Sequence, residues 1–262
     1  MTRIIRAELQ RLLRPRTVLV TAVTSVAFAA VATLGVWAAA RTNGPPADRG
    51  GTTVARLAAA GGGTEAFAAG ASFIGFFVFV TFIALVATEF SGGTYRALLL
   101  RDPHRVRLIA GKLAGALVVA AGALALAEVL SFGLSLLLAP SKDVDTNAWF
   151  SLAGAGHALG NYATAFAGVA GWAIFGAALG VAFRAAPLAL AVGFAWAGPF
   201  ENIIARSWTT GYRVFPGQVL AAVIQGGTPE ISLSRATTTA IVYVGLAAVT
   251  TAILLTKRDV TS

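Results

Sequence analysis

The sequence predicts an all-α integral membrane protein, and three observations support this fold class. Hydrophobic residues make up 57% of the 262-residue chain, charged residues make up 12%, and the mean hydropathy is +0.77, which is far from a soluble domain. Six stretches reach the roughly 20 apolar residues that a membrane-crossing helix needs. They are too long and unbroken for barrel strands. We expect a single transmembrane domain over residues 1–262, with spans at about 18–40, 67–88, 113–138, 162–183, 187–204 and 236–256.

The segment before the first span is amphipathic. Ile5, Leu9 and Leu12 recur at helical spacing, the arginines lie mostly on the other side, and Pro15 ends the pattern. We expect residues 1–16 to form an interfacial helix whose apolar side contacts acyl chains and whose arginines reach lipid phosphates. Two interpretations of its role stay open, a simple topology anchor and a helix that transmits motion.

The distribution of charge predicts the orientation of the chain. The formal net charge is +9, and 13 of the 20 Lys and Arg residues lie on the side that carries both termini, which predicts that both termini are cytoplasmic. These cations flank spans and form no soluble basic domain, so we expect contacts with membrane lipids or an acidic partner and no nucleic acid. The chain has 17 Arg, only three Lys and abundant Ala and Gly, a composition that suggests a GC-rich bacterial genome. We therefore expect the bacterial cytoplasmic (plasma) membrane as the location.

The segment from Glu89 to Lys112 is the only long basic stretch between two spans. A short helix is expected from Phe90 to Leu100 through the pair Gly92 and Gly93, followed by a break at Asp102 and Pro103. A short helix that offers an apolar tip and fixed cations suits a shallow groove on a partner protein. An ordinary positive-inside loop is the alternative interpretation.

The order of residues in this segment resembles a known family. The pattern E-F-S-G-G-T-Y-R-A-L-L-L-x-x-P-x-x-R-x-R-L-I-x-G-K is similar to the membrane subunits of ATP-binding-cassette (ABC) exporters of the type 2 permease family. In that family a Glu closes the second span, a Gly-Thr pair and an Arg begin a coupling helix, and a Pro, an Arg and a Lys lead into the third span; Lys112 matches that Lys. With two apolar residues of the same stretch, the matching positions form the predicted ATPase-coupling set: Glu89, Gly93, Thr94, Tyr95, Arg96, Leu99, Pro103 and Arg105.

The resemblance implies partners and an energy source. It implies a dimer of permease subunits, homomeric or heteromeric, that binds two copies of a cytoplasmic ABC ATPase and exports a hydrophobic or amphipathic substrate. The sequence has no G-x-x-x-x-G-K-[ST] loop, since Gly111-Lys112 is followed by Leu113. We therefore expect the chain to be no enzyme by itself and to hold no cofactor, with ATP and Mg bound by the partner ATPase.

Five residues are candidates for a substrate path. Phe73, Phe76 and Phe77 lie in the Phe-rich second span, where lipid-facing packing is the alternative for each ring. Glu128 is the charged residue nearest the centre of a span, a functional position by default, although a protonated carboxyl bonded to a neighbouring helix fits as well. Glu201 lies where the fifth span breaks.

The segment after this break is too short to cross. Gly198 and Pro199 interrupt the fifth span, and the apolar run from Phe215 to Ile224 has too few residues for a membrane-crossing helix. It fits either a re-entrant piece that forms an external gate or an interfacial hairpin held by aromatic anchors.

Close helix packing is predicted by two glycine pairs. Gly111 and Gly115 lie four residues apart, as do Gly176 and Gly180, and this spacing lets helix backbones approach closely. We interpret both pairs as packing within the bundle.

Catalytic and metal sites are not indicated. The only histidines are His104, in the break, and His157, in an expected external loop, and neither belongs to a nucleophilic or zinc-binding pattern. A secondary transporter driven by an ion gradient, which often has paired broken helices in repeated halves, remains an alternative. So does a non-transporting membrane scaffold for a cytoplasmic partner.

Overall fold

The computed structural model of the chain describes residues 1–42, 52–93, 95, 99–100 and 104–257. Within these ranges the protein is helical and has no strand. We number its α-helices in chain order: α1 Thr2–Leu12, α2 Pro15–Ala39, α3 Val54–Ala58, α4 Glu65–Ser91, α5 Arg105–Leu138, α6 Leu152–Phe183, α7 Ala186–Ala195, α8 Glu201–Ser207, α9 Gly211–Val214, α10 Pro216–Ile224 and α11 Leu233–Lys257.

Six helical stretches are long and apolar enough to cross a membrane, as the sequence predicts. They are Pro15–Ala39, Gly62–Ser91, Arg105–Lys142, Leu152–Phe183, Ala186–Ser207 and Leu233–Lys257. The chain is therefore a multi-pass membrane protein. One boundary differs most from expectation. The fourth spanning helix, α6, begins ten residues before the predicted span, where the Ser151 side chain accepts a hydrogen bond from the backbone N–H of Gly154. His157, expected in a loop, consequently lies on this helix.

Helices α4 and α6 form the centre of the bundle. A Cβ atom added at Gly176 would lie 2.5 Å from the Phe79 carbonyl oxygen, and one added at Gly180 would lie 2.8 Å from Val86 Cβ. The predicted role of this glycine pair in packing is confirmed, because only glycine lets the two backbones approach this closely.

The fifth span is not broken at Gly198 and Pro199 as its composition predicts, because one helical stretch runs over Ala186–Ser207. Helix α7 passes through a π-helical turn at Trp196–Phe200, which contains Pro199, into α8. The chain then turns back, and α10 packs in the bundle with Val219, Leu220 and Ile224 almost fully buried. This burial favours the re-entrant interpretation of α10 over the interfacial hairpin. Burial within protein is what short helices at membrane depth require.

The end of the bundle at which α1 lies and α11 ends is called here the termini end. Arg105 of α5 and Leu255 of α11 meet there. The opposite end, called the far end, is held by hydrogen bonds from the Lys142 amine to the Ala40 carbonyl (2.6 Å) and from the Trp149 indole N–H to the Leu57 carbonyl (2.9 Å). These bonds fix the segment around α3 over the ends of α5 and α6.

Candidate functional site

A sharp corner joins α4 to α5 at the termini end. Helix α4 ends at Ser91, and Gly93 has a φ of 71°, a left-handed conformation that glycine adopts without strain. The expectation that a helix continues through Gly92 and Gly93 is therefore wrong. Tyr95 and Leu99 are again helical, while Thr94, Arg96 and Pro103 of the predicted coupling set lie outside the described residues.

Tyr95 is the anchor of this corner. Its side chain is 1% exposed, its ring centroid lies 4.4 Å from that of Phe90, and its hydroxyl donates a hydrogen bond to the Arg105 carbonyl oxygen (3.2 Å). Burial raises the pKa of Tyr95 to about 12, so the hydroxyl stays protonated and able to donate at neutral pH. The start of α5 is thereby tied to the residue that follows the turn.

Two arginines connect the corner to other helices. The Arg105 guanidinium donates to the carbonyl oxygen of Leu255, near the end of α11 (3.1 Å). The guanidinium of Arg184, which follows the end of α6, lies 5.3 Å from the ring centroid of Phe90 on α4. Cations over aromatic rings are attracted by the ring quadrupole. We call Phe90, Tyr95, Arg105, Arg184 and Leu255 the corner cluster; it joins the ends of α4, α5, α6 and α11.

An ion-pair cluster lies next to the corner cluster. The Lys112 amine binds the Glu89 carboxylate and lies 3.7 Å from Glu8 Oε2, while Arg11 lies 3.1 Å from Glu8 Oε1 and 3.7 Å from Glu89 Oε1. The side chains of Glu8, Glu89 and Lys112 are only 5%, 8% and 11% exposed. Two carboxylates and two cations balance each other, and such balance is what buried charges require. We call these four residues the ionic cluster.

Helix α1 enters the ionic cluster because it packs along α5. A Cβ atom added at Gly111 would lie 2.7 Å from Ile4 Cγ2, and one added at Gly115 would lie 3.0 Å from Glu8 Cβ. The predicted packing role of this glycine pair is thus confirmed, and its partner is the N-terminal helix. The interfacial position of α1 stays a prediction.

Sequence reasoning missed Glu8 and Arg11. A signal was present, because Ile4, Glu8 and Leu12 are four residues apart and share one helix face. An acidic residue within the apolar stripe of an otherwise basic helix indicates a buried cationic partner.

The described members of the predicted coupling set meet at this site. Glu89 belongs to the ionic cluster, and Tyr95 and Arg105 belong to the corner cluster. Leu99 is half-buried against the group of buried apolar residues that contains Tyr95. The next residue, Leu100, is 88% exposed. The corner therefore combines a base that is held in place by Tyr95 and Arg105 with the exposed apolar side chain of Leu100.

The predicted substrate-path residues are dispersed. Phe73 and Phe77 are 68% and 63% exposed on the outside of α4, while Phe76 packs against Phe194 of α7. Glu128 lines a cleft that none of the other four residues lines. Glu201 is fully buried.

Glu201 connects the fifth span to α10. Its carboxylate accepts hydrogen bonds from the Trp196 indole N–H (2.6 Å) and from the backbone N–H of Gln218 in the first turn of α10 (3.2 Å). A carboxylate at this position satisfies free N–H groups and complements the positive end of the helix. No three His, Asp or Glu residues that could hold a metal ion gather in the part of the chain that the structure describes.

Comparison with known families adds one finding. Residues 51–261, which run from before α3 to beyond α11, match the sequence model of a family described as protein of unknown function, DUF2705. The chain belongs to the DUF2705 family. A search of curated proteins found no match to this DUF2705 protein.

Proposed function

We propose that this DUF2705 protein is the membrane subunit of an ATP-driven exporter of the ABC type, coupled to an ATPase that is a separate polypeptide. The observation that carries the proposal is the corner between α4 and α5. It presents the exposed Leu100 from a base in which Tyr95 is buried and tied to Arg105. A rigid base with an apolar tip is suited to transmit movement from a docked partner, because packed elements shift as units.

The connections of the corner indicate which helices a docked ATPase moves. The corner cluster joins the ends of α4, α5, α6 and α11, and the ionic cluster adds α1. In the proposal, a displacement of the corner reaches these five helices through the contacts of the two clusters. The protein lies in the bacterial plasma membrane in this proposal. Both termini and the corner face the cytoplasm, and α1 lies along the cytoplasmic interface of the membrane.

A dimer with a shared substrate path completes the proposed transporter. Two copies of the membrane subunit, or this chain and a similar one, form the path for a hydrophobic or amphipathic substrate, and each binds one ATPase. Helix α10 lies beside that path as part of an external gate. ATP and Mg bind to the ATPase subunits, and this chain performs no hydrolysis.

Co-purification tests the proposal. Tagged protein from native membranes, solubilised in a mild detergent, is expected to bring down one ATP-binding polypeptide and to hydrolyse ATP. The same chain purified without that partner is expected to show no ATPase activity above a detergent blank. Native preparations that lack any nucleotide-binding subunit contradict the proposal and favour a gradient-driven carrier.

A further inference from the structure

A cleft of about 540 Å³ lies between α5 and α6 near the far end. Apolar and small residues form most of its lining, including Val129, Phe132 and Leu159, and the short helical turn Gly62–Thr64 borders it. Its volume falls in the range of clefts that bind small organic molecules. Glu128 lines it about ten residues, or ~15 Å, before the end of α5.

Three of the four polar side chains that line the cleft already have partners. Trp149 donates its indole N–H to the Leu57 carbonyl (2.9 Å), the Tyr162 hydroxyl donates to the Ala121 carbonyl (3.0 Å), and the Thr64 hydroxyl accepts from the Asn161 amide (2.9 Å). The Thr64 hydroxyl also donates to the Gly61 carbonyl (3.5 Å), so these bonds fix the walls and leave no free donor on those side chains for a neutral polar ligand. Such a fixed, mostly apolar lining favours a ligand with an apolar body.

The Glu128 carboxyl is the exception. Its Oε1 atom is buried and has no hydrogen-bond partner in the described part of the chain, and the lining contains no Lys or Arg. A buried carboxyl oxygen without a partner carries a free-energy cost that a bound donor removes. A cationic donor removes it most effectively, because charge-assisted hydrogen bonds are the stronger class.

We propose that this cleft binds an amphipathic amine, with the ammonium group paired to Glu128 and the apolar body between Phe132, Val129 and Leu159. Tyr162 and Trp149 contribute aromatic rings to the same lining, and aromatic rings favour a cation further. The ligand chemistry has two possible sources, a free amine and the amine headgroup of a lipid. The inference names a substrate class for the transporter proposed above and rests on that function.

Direct binding to the purified full-length chain in maltoside micelles tests the inference. The probe is N-dansyl-1,6-diaminohexane, and N-dansyl-6-aminohexanol is its neutral counterpart. We expect Glu128→Gln to weaken amine binding at least tenfold and to leave alcohol binding unchanged, while Glu128→Asp retains a preference for the amine. Equal affinity of the amine for the wild type and Glu128→Gln overturns the inference, as does a wild type that binds neither probe.

A matched pair of variants on α6 tests the location. Ala158 lines the cleft, whereas the exposed Ala153 on the same helix does not. Ala158→Phe is expected to weaken both probes and Ala153→Phe to weaken neither. If Ala158→Phe changes nothing, or if the wild type binds amine and alcohol equally and the cleft simply accepts acyl chains, the assignment is wrong.

Competition with lysophospholipids distinguishes the two sources of the amine. Displacement of the probe by lysophosphatidylethanolamine but not by lysophosphatidylglycerol supports a lipid headgroup. Failure of both lipids to displace a probe that depends on Glu128 supports a free amine. Because binding is measured without an ATPase, failure of this inference leaves the co-purification result unaffected.

Discussion

Lys112→Met is expected to destabilise the protein by about 3 kcal/mol or more, because it removes the cation that binds two buried carboxylates. Methionine retains most of the side-chain length, so the loss of stability comes mainly from the missing charge and only to a small extent from changed packing. Among the residues that the structure describes, Glu8 and Glu89 would then form ion pairs only with Arg11, whose side chain is 43% exposed, and an uncompensated buried charge is strongly unfavourable. Thermal unfolding in detergent measures the loss, and hydrogen exchange of residues 2–12 shows whether α1 separates from α5.

Two variants serve as controls for Lys112→Met. Lys257 is exposed at the same end of the bundle, and Lys257→Met is expected to change the unfolding temperature little. The double variant Lys112→Met with Glu89→Gln removes one unpaired carboxylate and should recover part of the loss. If Lys112→Met is no more harmful than Lys257→Met, the ionic cluster does not hold α1 in place.

Glu201→Leu is expected to have the second large effect. It leaves the Trp196 indole N–H and the Gln218 backbone N–H without their acceptor, the fully buried Glu201 carboxylate. A fully buried donor without an acceptor costs ~1–3 kcal/mol, and since both of these bonds are only partly buried, a total of about 2–3 kcal/mol is expected. Faster hydrogen exchange in residues 216–224, together with a lower unfolding temperature, is the predicted observation.

Glu201→Gln separates this structural role from a role in a substrate path. Glutamine retains one acceptor oxygen, so it should lie between wild type and Glu201→Leu in stability. If Glu201 also contacts the substrate, Glu201→Gln will reduce transport far more than its stability predicts. Unchanged hydrogen exchange in Glu201→Leu would contradict the capping role altogether.

The sequence predicts most of the fold because hydropathy dominates it. Each span is an apolar run of sufficient length, and the run from Phe215 to Ile224 is recognisably too short to cross. The pairing of Glu89 with Lys112 is not predictable in this way. It depends on the left-handed turn at Gly93, and the helical pattern allows the chain to continue straight through that position.

The partners of buried polar groups are the second limit of sequence reasoning. Glu8 approaches Gly115 only because α1 packs along α5. The spacing of apolar residues in α1 does not specify which helix it packs against. The Gln218 N–H that Glu201 accepts lies 17 residues away, across a turn whose direction the composition leaves open. Glu128, in contrast, was identifiable from its position alone, because an ionisable residue within a span is rare.

Site-specific photocrosslinking at the corner is the most direct test of the central claim, that a separate ATPase docks on the segment between α4 and α5. A photoreactive phenylalanine analogue replaces Leu100, 88% exposed at the corner, or the control Leu152, 91% exposed at the start of α6. We predict that Leu100, and not Leu152, crosslinks in native membranes to a polypeptide that binds ATP. An absence of crosslinks from Leu100, or identical products from both positions, would contradict the account.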